Sequence, residues 1–230
     1  DIMPSLVGSE MCIRDRSITG HTKRQSVILK YKHGADRNGL LTAVQGELIY
    51  DTGAYASSTM FVAWRGIVHA VGPYRVPNAK IDSYVVYTNK ILAGAFRGFG
   101  NPEPAFAVER QMDELAKKLG MDPVEIRLKN ILREGDSTVH GHVLDHAVGL
   151  EDALNSVINM ANYYERKKEL QKMNEQSTSK KYGIGLATWW HGNSLGVETH
   201  ELVGAIVRIE GDGSITYIPS LVDMGTDNLN

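Results

Sequence analysis

The run Gly94-Ala95-Phe96-Arg97-Gly98-Phe99-Gly100-Asn101-Pro102 concentrates residue types that could do chemistry. Its glycines permit positive φ and close approach of backbone to a ligand. The helix start that follows would offer unpaired N–H groups and a partial positive charge, which suits an anion or an oxo group. The glycine spacing matches neither G-x-G-x-x-G nor a Walker loop, so no nucleotide site is assigned. Phe96 and Phe99 either sit in an ordinary turn or line a pocket where they stack on a flat ligand. The residues alone leave both readings open.

Arg65 stands inside the otherwise apolar stretch Met60 to Val71. An arginine there snorkels to solvent, pairs with a carboxylate, or faces a polar ligand. His140, His142 and His146 fall in a stretch without regular period and without an H-E-x-x-H pattern, so they read as solvated loop histidines and no protein metal ligand is assigned. Met224-Gly225-Thr226-Asp227 follows a strand and by itself reads as a turn. Spacing assembles no Ser/His/Asp or Cys/His set.

Elements must position these residues. Ser26 to Tyr31 and Leu40 to Tyr50 flank a turn ending Asn38-Gly39 and predict a hairpin, and Ile81 to Thr88 predicts a further strand. Asn101-Pro102-Glu103-Pro104 opens a helix whose stripe is Phe106, Met112, Leu115, Ala116 and Leu119, with Gly120 as its stop. Asp122-Pro123 is an N-cap followed by proline at the first position of a helix over Val124 to Leu132. Arg133 to Gly149 reads as a connecting loop, and Leu150 to Lys172 as one long amphipathic helix. Gln176 to Lys181 is a polar linker, and Gly211-Asp212-Gly213 centres a second hairpin. Strands, then helices, then strands predict an α+β fold with mixed α/β layers.

Composition excludes several classes. The 230 residues are 42% apolar, with 25 basic and 27 acidic residues and a net charge of −2. That balance gives no electrostatic reason to expect a nucleic acid or a membrane surface. No stretch approaches the roughly 18 apolar residues of a spanning helix. The lone cysteine, Cys12, cannot build a disulfide framework or a cluster from this chain alone. Ser5 to Asp15 resembles the translation of a transposase-type sequencing adapter, so residues 1–15 are read as an artefact and set aside. The remaining chain is then formally neutral, lacks cysteine, and reads as an internal piece of a longer protein.

Several motifs occur in one order: Arg65, Pro73-Tyr74-Arg75-Val76-Pro77-Asn78, Thr88-Asn89, the Gly94 to Gly100 run, and Met112-Asp113-Glu114-Leu115-Ala116. Asp122-Pro123, Arg127, Lys129-Asn130 and Glu134-Gly135-Asp136 follow. From about Gly20 onward the series resembles the molybdenum-cofactor-binding subunit of the xanthine dehydrogenase and aldehyde oxidase family. The resemblance implies residues 16–132 in a first cofactor-binding domain, 133–149 as the connection, and 150–230 as the start of a second. It implies that Phe96, Arg97 and Gly98 contact the molybdenum cofactor (molybdopterin), with backbone N–H groups near the metal's oxo ligand, and that Met224, Gly225 and Thr226 form a later cofactor-contacting turn. Two residues take catalytic roles by the same carry-over: Phe99 packs against the substrate ring, and Arg65 hydrogen-bonds a substrate oxygen.

The implied reaction is hydroxylation of a purine or another N-heteroaromatic compound, with water as the oxygen source. Alternatives are a same-fold aldehyde oxidoreductase and a non-catalytic paralogue acting as a binding module. Iron–sulfur clusters and FAD would sit on partner domains or subunits, in a cytoplasmic oligomer. Three departures stand out. Thr226 replaces a glutamine common in the family, His191 to Gly196 shows no aromatic partner for Phe99, and the family's catalytic glutamate falls beyond Asn230.

Overall fold

A computed structural model describes residues 14–192 and 203–220. The chain divides into two units, Asp1–Trp190 and His191–Asn230. In the first, β1 (Val27–Ala35) and β2 (Leu41–Gly53) form the expected antiparallel hairpin, with β1 running on past Tyr31. Its turn is closed by Asp36, whose Oδ1 accepts from the amides of Asn38 (2.9 Å) and Leu40 (2.8 Å) while Gly39 sits at φ 84°. Residues 14–20 are helical, so Arg14 and Asp15, at the end of the adapter-like stretch, belong to a helical segment.

The chain then crosses over through α1 (Thr59–Val68) and returns as β3 (Ala79–Tyr87), parallel to β2 with Val44 opposite Ala79. Two parallel neighbours require such a crossover. Sequence reading assigns no element to 59–68, and the physical reason is visible in the burial. Thr59, Val62, Ala63 and Gly66 form the buried stripe at helical spacing. The opposite face carries Met60, Phe61 and Ile67, also apolar but exposed, so no polar face marks the period.

Two elements correct the expected boundaries. Helix α2 (Pro102–Leu119) buries Val108, Met112 and Ala116 against Leu41, Val44 and Tyr74, whereas Phe106, placed on the expected stripe, is 70% exposed. Helix α3 (Pro123–Asn130) is capped as expected, Asp122 Oδ1 accepting from the Val124 amide at 2.8 Å. It stops at Asn130 instead of Leu132, because the next residues pair with another segment. The Leu132 amide donates to Pro73 O, and the Arg75 amide donates to Asn130 O. Asn130 also accepts from the Leu41 amide (2.8 Å) and donates to Gly39 O (2.7 Å), which ties α3 to the hairpin.

The single helix expected over 150–172 is two, α4 (Leu150–Met160) and α5 (Tyr163–Gln176), broken where Asn162 adopts φ 47°. Leu154, Ile158 and Tyr163 share one small core with Val124. In a continuous helix Tyr163 would lie about 140° around the axis from Ile158 and leave that core. Asparagine tolerates the left-handed conformation that returns it. In the second unit, β4 (Ala205–Ile209) and β5 (Ile215–Pro219) form the expected hairpin around Gly211-Asp212-Gly213, with Gly213 at φ 85°. Met224, Gly225 and Thr226 lie outside the described residues, as do Cys12 and most of the adapter-like segment.

His33 lies in β1 with both ring nitrogens buried and without a hydrogen-bond partner among the described residues. Burial pushes its pKa down to about 4. The unfolded chain, with an ordinary histidine near 6.5, takes up a proton that the folded chain does not. Stability from this site is therefore complete above about pH 6.5 and is lost as pH falls toward about 4. Denaturation followed across that range should show about one proton taken up on unfolding, absent in His33→Leu. Equal pH dependence in the two proteins would rule this out.

Candidate functional site

The Gly94–Gly100 loop is seated by backbone and hydroxyl contacts from three directions. The Ala93 amide donates to Thr52 O (2.9 Å) at the end of β2, and the Gly94 amide donates to Lys23 O (3.0 Å). From the start of α1, Ser58 Oγ accepts from the Ala95 amide (2.7 Å) and Thr59 Oγ1 donates to Ala93 O (3.0 Å). At its far end the loop meets α1 backbone to backbone: a Cβ on Gly100 would fall 2.0 Å from Val62 O, and one on Gly66 would fall 3.1 Å from Gly100 O. Only glycine lets the two chains approach so closely.

Between these anchors the loop makes two turns in succession. The Phe99 amide donates to Phe96 O (2.8 Å), with Gly98 at φ 85°, so residues 96–99 form a type II turn. The Asn101 amide donates to Gly98 O (2.9 Å), with Phe99 at φ 45° and Gly100 at φ 88°, so residues 98–101 form a type I′ turn. A phenylalanine at positive φ stores strain of the kind found at ligand clamps. The amides of Phe96, Arg97, Gly98 and Gly100 make no hydrogen bond among the described residues.

This corrects the expectation that the helix start supplies the donors. Helix α2 begins Pro102-Glu103-Pro104, and the Ala105 amide is already spent on Asn101 O. Two of its first three positions lack an N–H, so the helix start has little to offer an anion. The unspent donors belong to the loop. Phe96 and the Arg97 side chain are exposed, whereas Phe99 is half-buried.

Arg65 lies on α1, only 6% exposed and one residue from the Gly66–Gly100 contact. Its carbonyl accepts from His69 Nδ1 at 2.9 Å, so that nitrogen carries the proton. The His69 ring is edge-on to Trp190, with centroids 5.8 Å apart, and Asn101 Nδ2 donates to Trp190 O at 2.8 Å. A chain of contacts, buried at Arg65, His69 and Asn101 and half-buried at Trp190, thus runs from the Arg65 backbone to the end of the loop. Sequence reading missed His69, Trp190 and Arg24. The last places its guanidinium 4.9 Å from the Phe96 ring centroid and donates to Arg97 O. Separations of 73 residues for Arg24–Arg97 and 89 for Asn101–Trp190 leave no local pattern to read.

Comparison with known proteins decides what the loop belongs to. Residues 10–131 match the molybdopterin cofactor-binding domain, and residues 156–228 match a second domain of that description. The chain belongs to the molybdopterin cofactor-binding domain family. The large molybdopterin subunit of nicotinate dehydrogenase from Eubacterium barkeri is 47% identical over 141 residues, 61% of this chain and 33% of that protein. A probable xanthine dehydrogenase subunit from Bacillus subtilis is 34% identical over 203 residues, 88% of this chain and 26% of its own length. Among solved structures, the aldehyde oxidoreductase of Desulfovibrio gigas aligns with a TM-score of 0.67 at 29% identity, covering 85% of this chain and 21% of that one. The chain therefore spans about a third or less of each of these proteins.

The loop suits molybdopterin on its own chemistry. The group is anionic and carries metal oxo ligands, and the double turn supplies unspent amide donors with Arg24 and Arg97 close by. The space a Cβ would take at 98 and 100 is filled by the Pro102 ring and the Val62 backbone, so these glycines serve the double turn that leaves the amides unspent among the described residues. No helix among the described residues is long and apolar enough to cross a membrane.

Proposed function

We propose that this molybdopterin-binding chain forms part of the catalytic subunit of a molybdenum hydroxylase that oxidises a purine or another N-heteroaromatic compound, with oxygen drawn from water. The double turn and its unspent amides carry the reading. The likeness to a nicotinate dehydrogenase subunit supports a heteroaromatic substrate, since that relative is named for one. The aldehyde oxidoreductase among the structural neighbours favours a second reading, oxidation of an aldehyde.

Bound molybdopterin would supply a two-electron acceptor and a metal that polarises oxygen. The chain's own residues would bind and orient. The amides of Phe96, Arg97 and Gly98 would hold the cofactor, and Met224, Gly225 and Thr226 would add a later contact. The half-buried Phe99 ring would pack against a flat substrate and exclude water. Arg65 would donate to a substrate oxygen and stabilise negative charge as it develops on the ring, a task suited to a fixed guanidinium in a dry site. Electrons would leave through iron–sulfur and flavin partners.

The test is Arg65→Met in the full-length, cofactor-loaded enzyme. Turnover of the N-heteroaromatic substrate should fall about a hundredfold, the loss of one oriented donor. Molybdenum content should stay at the wild-type level. An aldehyde substrate, which has no ring oxygen for Arg65 to hold, should lose far less. Unchanged heteroaromatic turnover would remove Arg65 from the mechanism, and preferential turnover of aldehydes by the wild type would favour the second reading.

A further inference from the structure

Arg24 makes three contacts with the loop and the helix that follows it, one of them to the 97–98 peptide. Nη1 donates to Glu103 Oε1 at 3.1 Å, Nη2 donates to Arg97 O, and the guanidinium lies over the Phe96 ring at 4.9 Å. Its backbone is held in place by the neighbouring Lys23, which bridges Ala93 and accepts from the Gly94 amide. Glu103 is itself fixed in the first turn of α2, with its side chain 8% exposed. Arg24 thus spans both ends of the loop and grips its middle.

The gripped atom matters because Arg97 O and the Gly98 N–H belong to the same planar trans peptide and point in opposite directions. The 97–98 peptide is the central peptide of the type II turn. Types I and II differ by a flip of that peptide, and type I is open to most residues, Arg-Gly included. Gly98 at the third position makes type II accessible without steric cost but leaves type I open as well, since the Phe99 to Phe96 hydrogen bond serves either form. A donor placed outside the turn, on the carbonyl side, adds to that preference and holds the peptide in one orientation. With Arg97 O drawn toward Arg24, the Gly98 N–H faces away from Arg24, and no described residue receives it.

We propose that Arg24 is a positioning residue that locks the 97–98 peptide and so aims the Gly98 amide at bound molybdopterin. This rests on the reading of the loop as the cofactor-binding loop. Lysine would not substitute, because a single ammonium cannot hold the Glu103 carboxylate, the Arg97 carbonyl and a stacked ring together. Arg24 is one-third exposed, so its removal opens no cavity in the core.

The test compares Arg24→Gln, Arg24→Lys and Gly98→Ala in the full-length, cofactor-loaded enzyme by molybdenum content, the Mo(V) electron paramagnetic resonance spectrum and steady-state kinetics. In Arg24→Gln the melting temperature should hold within about 3 °C, as for a partly exposed ion pair. Its Mo(V) spectrum should shift, and kcat should fall about tenfold with KM nearly unchanged, part of the loss seen when a donor is removed outright. Arg24→Lys should show the same shifted spectrum, and it carries the test if Arg24→Gln fails to accumulate. A wild-type spectrum and kcat in the arginine variants, with Gly98→Ala disturbed, would overturn the role of Arg24 and leave the loop reading intact. A wild-type molybdenum content and spectrum in Gly98→Ala would instead overturn the loop reading itself.

Discussion

Replacing Arg127 with methionine is expected to lower the unfolding free energy by about 3–5 kcal/mol, the usual cost of removing one member of a buried ion pair. Arg127 is fully buried. Its Nε donates to Glu109 Oε2 at 2.9 Å, and its Nη2 donates to Asp113 Oδ1 at 2.9 Å. Nη1 closes the set on Pro123 O at 2.9 Å, so α2 and α3 are joined through one side chain. Glu109 also accepts from the Thr188 amide (2.9 Å) and from the Tyr74 hydroxyl. Burial and the adjacent carboxylate hold the Tyr74 phenol well above its ordinary range, so it remains a donor.

Methionine fills much of the space but leaves the Glu109 charge buried with neutral donors only. The loss should appear as a melting temperature lower by about 10 °C. A second substitution at Glu109, to methionine, should recover part of it, because a buried pair replaced whole by apolar groups is often close to neutral. A drop below about 1 kcal/mol in the single variant would show that the network adds little.

Gly100→Ala carries the other large effect. Gly100 sits at φ 88°, and a new Cβ would fall 2.0 Å from Val62 O and 2.8 Å from Val62 C. Those atoms are α1 backbone, so no side-chain rotation relieves the overlap. Left-handed strain of about 1–2 kcal/mol adds to overpacking of about 1–3 kcal/mol, for a loss of about 2–5 kcal/mol or a displaced α1. Gly135→Ala separates the two causes, since Gly135 shares the conformation (φ 86°) but a Cβ there would meet nothing within 4 Å. It should lose only the strain. Thermal unfolding of both variants checks this, and equal losses would show that the α1 contact yields freely.

The parts of the fold legible in the sequence are those governed by chemistry a few residues long. The Asp122-Pro123 cap, the left-handed stop at Gly120 and both hairpin turns each need one residue type at one offset, and each is present where expected. The family was legible too, because an ordered series of motifs is a one-dimensional property of the chain, and the domain match agrees with it. Helix α1 was not, because its outward face is as apolar as its buried one. Phe106 was misplaced for the converse reason: helical spacing identifies a stripe, but only the facing strands decide which of two adjacent stripes is covered.

By itself, the sequence determined that a glycine-rich loop precedes a proline-started helix, and that its residues resemble a cofactor cradle. Read residue by residue, it placed donors at the helix start, where Pro102 and Pro104 leave little to donate, while the family resemblance pointed to the backbone N–H groups of the loop. Tertiary structure alone decided that a double turn leaves the loop amides unspent among the described residues, that Gly100 is crowded by the α1 backbone and Gly66 by the Tyr50 hydroxyl as well as Gly100 O, and that Arg24 grips Arg97 O. The reason is physical. Turn and cap preferences are set by neighbours along the chain, whereas the aim of a single amide is set by whatever grips the other side of its peptide, and here that group comes from 73 residues away.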